Sequence, residues 1–187
     1  MEVDRKTYVL AIDVLKDYKD IILTTDRRPI DPNIDLDDAH LVIPEIVIRD
    51  LSKLAAKERY VEDLLNELRS VAERTEIVTM RAVYWLHAAA KVKNSNQLLS
   101  VLPVQKDLLR SLPFRLSEDD IDDQTIATAI GTSLALGGLK VNDSSDVKMV
   151  SHTMFDNVKL LTNDAGLAIR AHWYGIQTSR YNNWRRK

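Results

Sequence analysis

The stretch KLLTNDAGLAIRAHWYGI (Lys159–Ile176) decides how this chain is read. With Val158 added in front, VKLLT is an apolar run of strand length. Asn163-Asp164 ends it with residues that favour turns and helix starts. Ala165 to Trp173 follows as a helix, and the next glycine, Gly175, supplies its stop. A strand feeding directly into a helix is half of a β/α unit, so a parallel sheet is expected.

The same order recurs upstream. Leu41-Val42-Ile43-Pro44 reads as a short strand whose proline opens a helix, where a missing N–H does no harm. That helix, Glu45 to Lys57, sets Ile46, Val47, Leu51 and Leu54 on one face, and Tyr60 to Glu73 continues with Val61, Leu64, Leu65, Leu68 and Val71. Tyr8 to Leu15 (YVLAIDVL) reads as a buried strand, with a helix through Tyr18 and Ile22 as the alternative. A second apolar burst, Asp20–Leu23, precedes a loop from Thr24 to Asn33 that carries Pro29 and Pro32. Ser117-Glu118-Asp119-Asp120 matches an N-cap followed by first-turn acids. Asp123 to Leu136 is the helix expected after it, stopped by Gly137-Gly138.

Strands alternating with helices make the fold class α/β: a Rossmann-like three-layer sandwich, with a central parallel sheet and helices on both faces. One domain spanning 1–187 accounts for the length. Within it, residues 75–115 are expected to form a helical insertion, from Arg81–Lys93 and Asn96–Leu112, and residues 177–187 a basic tail.

Composition narrows the chemistry. Hydrophobic residues make up 45% and charged residues 29% of the 187, the balance of a globular domain. No cysteine is present, which excludes disulfides and cysteine-held zinc and fits a cytoplasmic setting. The four histidines, His40, His87, His152 and His172, have no zinc-motif spacing, so a metal would be held by oxygen and Mg²⁺ or Mn²⁺ would suit it. The N-terminus lacks a signal-peptide pattern, and no run approaches the roughly 20 apolar residues of a membrane span. The net charge of −2 weighs mildly against nucleic-acid binding, although a nuclease needs only a local basic rim.

In open parallel sheets the functional crevice lies outside the carboxyl ends of the strands. Asp13 follows the first strand, Asp50 rides the helix after LVIP, Asp123 opens a helix and Asp164 ends VKLLT. Each alone reads equally well as a helix-start acid. Brought together they would repel one another, and a hard divalent cation is the usual resolution.

LVIPEIVIRDLSKL (Leu41–Leu54), DDQTIATAI (Asp122–Ile130) and KLLTNDAGLAIRAHWYGI resemble three motifs of the PIN domain family, most closely its larger bacterial members such as those attached to phosphate-starvation-type ATPases. The resemblance puts Asp50, Asp123 and Asp164 at the family's acidic positions, with Asn163 and Asp122 in support. It implies a PIN-like fold and a Mg²⁺- or Mn²⁺-dependent endoribonuclease that hydrolyses phosphodiester bonds in line and leaves a 5′-phosphate. The implied partners are single-stranded or structured RNA, an antitoxin or a fused ATPase domain, and a second copy in a homodimer.

The family's opening motif, a strand ending in Asp-Thr-Asn-Val-Leu, is where this chain departs. Aligned on Val14-Leu15, the first acid falls on Ala11, and Asp13 takes the Asn position. A shifted register makes Asp13 the first acid, and a third uses IILTTDRRPIDP, with Thr24 at the place and Asp26 nearby. The four expected ligands are therefore Asp13, Asp50, Asp123 and Asp164. If Ala11 is the true equivalent, the domain is catalytically weakened or silenced by mutation, and binds RNA or protein without cutting. A structure-specific DNA nuclease is the remaining alternative.

Arg170, Arg180, Trp184 and Arg185 are candidate RNA contacts, with Trp173, Tyr174 and Tyr181 as stacking surfaces. A basic tail packed on the body explains the same residues. Arg27-Arg28 and Lys91-Val92-Lys93 read as a rim for phosphates or as solvated charge. No Walker loop, dinucleotide glycine fingerprint or nucleophile-elbow serine is present.

Overall fold

The computed structural model describes residues 6–16, 36, 38–74, 77–81, 86–91, 97–103, 110, 115–136 and 155–180. Thr7–Leu10 forms β1, followed by one helical turn, Ile12–Leu15 (α1). His40–Pro44 (β2) runs into Glu45–Ala55 (α2), and Arg59–Arg74 (α3) packs on α2. Ile77–Arg81 (β3), Leu86–Lys91 (β4) and Leu98–Leu102 (β5) come next. Ile121–Ala135 (α4), Phe155–Leu161 (β6), Ala165–Trp173 (α5) and Ile176–Ser179 (β7) complete the described elements.

These strands make a seven-stranded sheet in the order β3-β4-β5-β2-β1-β6-β7. β5, β2, β1, β6 and β7 are mutually parallel, and β3 and β4 add an antiparallel edge. β1 is central: its Thr7 to Val9 pair with His40 to Val42 on one side, and Thr7 to Leu10 with Val158 to Leu161 on the other.

A strand's alternation sorts its side chains into two layers. Tyr8, Leu10, Leu41, Ile43 and Leu161 face a core shared with Val14 and Leu15 of α1, Val47 and Leu51 of α2, and Val61 and Leu64 of α3. Val9, Ala11, Val42, Val158 and Leu160 face the opposite core, with Ile126 and Ile130 of α4 and Leu167 and Ala171 of α5. The expected sandwich, with helices on both faces of a parallel core, is therefore present.

α4 is buried along nearly its whole length, including Thr125, Thr128, Thr132 and Ser133. Those polar groups are tolerated because each has a hydrogen-bond partner. Thr125, Thr128 and Thr132 donate to the carbonyls four residues earlier at 2.7, 2.8 and 2.7 Å. Ser133 donates to the side-chain oxygen of Asn157, and Asn157 Nδ2 donates back to the Ser133 carbonyl, which joins α4 to β6.

Three expectations are corrected here. Within residues 75–115, expected to be helical, most of the described residues are strands: the antiparallel pair β3 and β4, and β5. LLSVL is too short for periodicity to separate helix from strand, and pairing with β2 decides it. The alanines of β4 favour a helix locally, and the ladder with β3 and β5 overrides them. The first strand ends at Leu10, not Leu15, so Asp13 lies in the first turn of α1. The tail placed at 177–187 begins as β7, which extends the sheet parallel to β6 as far as Ser179. The loop 24–33, Asp20–Leu23, Arg27-Arg28, Gly137-Gly138, His152, Tyr181, Trp184 and Arg185 lie outside the described residues, as does the Thr24/Asp26 register. No helix among the described residues is long and apolar enough to cross a membrane.

Candidate active site

Two groups of side chains meet at the carboxyl ends of β1 and β6. The first is built on the turn Thr162-Asn163-Asp164. The Thr162 hydroxyl donates to Asp13 Oδ1 at 3.1 Å and accepts from the Asp164 amide at 3.0 Å. The Asn163 amide donates to Asp13 Oδ2 at 2.6 Å. The parallel register of β1 and β6 sets these contacts, because it aligns Leu10 with Leu161 and starts both turns at the same level. The Ala11 amide continues the pairing by donating to the Leu161 carbonyl at 3.1 Å.

Asp164 caps α5. Its Oδ1 accepts from the Gly166 and Leu167 amides at 2.7 and 3.1 Å, groups that have no partner inside the helix. A Cβ on Gly166 would lie 3.2 Å from that oxygen, so the missing side chain permits the close approach.

The second group gathers at the start of α4. Asp120 is its N-cap and accepts from the Asp123 amide at 2.9 Å. Asp123 reaches back, and its Oδ2 accepts from the Ser117 amide at 2.8 Å. From α5, Arg170 bridges the cluster: its guanidinium donates to Asp123 Oδ1, lies 3.3 Å from Asp122 Oδ2 and 3.5 Å from Asp120 Oδ1. The Asp123 side chain is thereby fixed in place, with the residue 8% exposed.

The field at this edge is negative. Burial raises the pKa of Asp122, and repulsion from Asp120 adds to it; Arg170 opposes the shift, while Asp164 and Asp123 push the same way. The charge of Asp164 acts on Asp122 and so links the two groups electrostatically. Burial acts to lower the pKa of Arg170, and the carboxylates of Asp123, Asp120 and Asp122 outweigh it, so the net shift is upward.

The structure thus joins Asp13 to the Asn163-Asp164 turn, and Asp122 and Asp123 to Arg170. Asp50 sits half-buried on α2, and nothing among the described residues ties it to either group. Arg170, expected to meet RNA, has its guanidinium turned into the acidic cluster instead, because three carboxylates outcompete solvent for it. Arg180 is exposed just after β7. Sequence reasoning missed Asp120 and the bridging role of Thr162. Asp120 stands three residues before Asp123, the spacing of a capping pair, whereas the cap was expected at Ser117.

A family model for the PIN domain matches residues 15–182. The chain belongs to the PIN domain family. PIN domains are generally nucleases and typically bind divalent metal ions. Among solved structures, a domain of a functionally unknown protein from Methanocaldococcus jannaschii DSM 2661 is similar over 97% of this chain and 95% of that one, with 18% identity and a TM-score of 0.52. That likeness carries the fold. No curated protein sequence matches this PIN domain at a significant level.

The donor chemistry of the edge fits the hard cation of such a domain. Its side chains are oxygen donors, with three carboxylates, Asp120, Asp122 and Asp123, set against the single guanidinium of Arg170. The fit is one of chemistry and not of a finished cage: among the described residues no group of three or more His, Asp or Glu is placed to hold a metal ion.

Proposed function

We propose that this PIN domain is a Mg²⁺- or Mn²⁺-dependent endoribonuclease that hydrolyses phosphodiester bonds at the carboxyl edge of its sheet. The observation that supports this most is the hydrogen-bonded union of Asp13 with the Thr162-Asn163-Asp164 turn at the carboxyl ends of β1 and β6. Separate segments place their acids within reach of one field, where negative charge is in excess. Asp123 and Asp164 are the residues proposed to hold a cation, with Asp13 fixed on the turn that carries Asp164 and with Asp122 and Asn163 in support. Asp50 keeps its place in this proposal through the motif alone.

When bound, the cation supplies a polarised phosphoryl oxygen, a more acidic water and stabilisation of the leaving oxygen. The chain's own part is orientation. Thr162 and the Asn163 amide fix both oxygens of Asp13. The α5 cap holds Asp164 by Oδ1 and leaves Oδ2 outside the cap bonds. Ser117 and Asp120 lock the first turn of α4, and so the direction of Asp123. Preset ligands of this kind avoid the cost of ordering them as substrate arrives.

A second reading has its own support. In the register aligned on Val14-Leu15, Ala11 stands where the family's first acid falls, and both oxygens of Asp123 are already engaged by Ser117 and Arg170. A domain so arranged could bind RNA without cutting it. Incubation of a single-stranded RNA and its DNA counterpart with Mn²⁺ decides between them. The nuclease reading expects RNA fragments with 5′-phosphates, lost on chelation and in Asp123→Asn. RNA binding with no cleavage favours the silent module, and cleavage of DNA alone favours a DNA nuclease.

A further inference from the structure

We propose that Lys16 and Arg180 are a pair of phosphate-binding cations that flank the union of Asp13 with the Asp164 turn and hold RNA across the acidic edge by its backbone. The inference rests on the RNA-directed reading above and adds to it the groups that grip the substrate.

The main chain sets both positions. Leu161 pairs with Ser179 in the parallel ladder of β6 and β7, and the Thr162 amide donates to the Ser179 carbonyl at 3.1 Å. Arg180 therefore comes level with Thr162, one strand spacing away, about 5 Å. Thr162 is the residue that binds both Asp13 and the Asp164 amide. On the β1 side, Lys16 ends α1 in helical conformation, its amide donating to the Ile12 carbonyl at 3.1 Å. It stands three positions after Asp13, a spacing that makes side chains neighbours on a helix. Both cations are exposed.

Charge explains why the edge needs them. Its carboxylates repel a phosphodiester chain, and Arg170 does not offset this, because its guanidinium is shared among Asp120, Asp122 and Asp123. Lys16 and Arg180 take no part in an ion pair among the described residues. Their charge is therefore available to a polyanion that lies beside the Asp164 turn. Neutralising one phosphate of a single strand releases counter-ions, which sets a salt slope of about 0.7 and contributes about fivefold in affinity at about 0.1 M salt. The two positions stand on different segments and share no partner, so their contributions should add.

The test is binding of a fluorescein-labelled single-stranded RNA to the whole chain, read by anisotropy with a chelator present and over a range of salt concentrations. Lys16→Ala and Arg180→Ala should each weaken binding about fivefold at about 0.1 M salt and lower the salt slope by about 0.7, and the double variant should lose about 25-fold. Arg180→Lys keeps a point charge that binds phosphate and should stay close to wild type. Lys57→Ala removes an exposed cation just beyond the far end of α2 and should change affinity by less than about twofold. Wild-type affinity in either alanine variant, or an equal loss in Lys57→Ala, overturns the pair and leaves RNA binding standing. The expected losses without any cleavage once Mn²⁺ is restored remove the nuclease reading and keep this inference. A wild-type chain that binds no RNA at about 1 mM removes both.

Discussion

The Asn163 amide donates to the Asp13 carboxylate at 2.6 Å across 150 residues of sequence. Thr162, one position earlier, grips the other oxygen of the same carboxylate and also receives the Asp164 amide. The ends of β1 and β6 are thus locked by a side chain and a turn, beyond the last rungs of the ladder.

Thr162→Val tests that lock. Valine keeps the shape and removes the hydroxyl, so the Asp164 amide and Asp13 Oδ1 each lose a partner. Stability should fall by about 1–3 kcal/mol. Urea unfolding would show a lower midpoint with an unchanged slope. An unchanged midpoint would mean that the hydroxyl is replaceable by water.

Asp164 has two roles that can be separated. Asparagine is as good an N-cap as aspartate, whereas alanine costs about 1 kcal/mol at such a position. Asp164→Asn should therefore keep the melting temperature near that of wild type while lowering Mn²⁺-dependent RNA cleavage at least about 100-fold. Asp164→Ala should lose both. If Asp164→Asn cuts RNA as well as the parent, the carboxylate is only a cap.

Asp122 gives a pH signature. Its folded pKa is raised, so the folded chain holds this proton more tightly than the unfolded one does. Ionising it then removes stability as pH rises from the ordinary aspartate value through the folded value. Asp122→Asn cannot ionise. Without metal, its melting temperature should match wild type below the ordinary aspartate value of 3.8, exceed it as pH rises through the folded value, and keep a constant margin above that. Differential scanning calorimetry across that range checks it, and a variant less stable than wild type at neutral pH would contradict the sign.

Ala11 is 1% exposed and packs in the core beneath α4 and α5. Ala11→Asp would bury a carboxylate there, and without metal it should cost roughly 3 kcal/mol. If position 11 is the family's first acid, Mn²⁺ should recover most of that loss and raise RNA cleavage above wild type. A variant that Mn²⁺ does not stabilise beyond wild type would place the first acid elsewhere.

Legibility in the sequence followed the range of the forces involved. The helix Ala165–Trp173 and its Gly175 stop were readable because a cap, a periodic run and a glycine at φ 79° are all local. β2 and its proline were readable for the same reason. The strands β3, β4 and β5 were not, because short apolar runs take their state from the partners they pair with. The start of α4 was blurred by Ser117, Asp119 and Asp120, any of which can cap; contact with Arg170, 50 positions later, is invisible to a local reading. The order of the acidic motifs was legible, but the tie of Asp13 to Thr162 needed the register of β1 against β6.

β6 lies between β1 and β7 in the sheet, although 144 residues separate Leu10 from Phe155 and every other described strand except β7 precedes it. During translation, β1 and its aspartate emerge long before the strand that must slide in beside them. Until that late arrival docks, the nascent chain carries the parts of the acidic edge without their juxtaposition. Any chemistry that this edge performs is therefore assembled only when β6 docks beside β1.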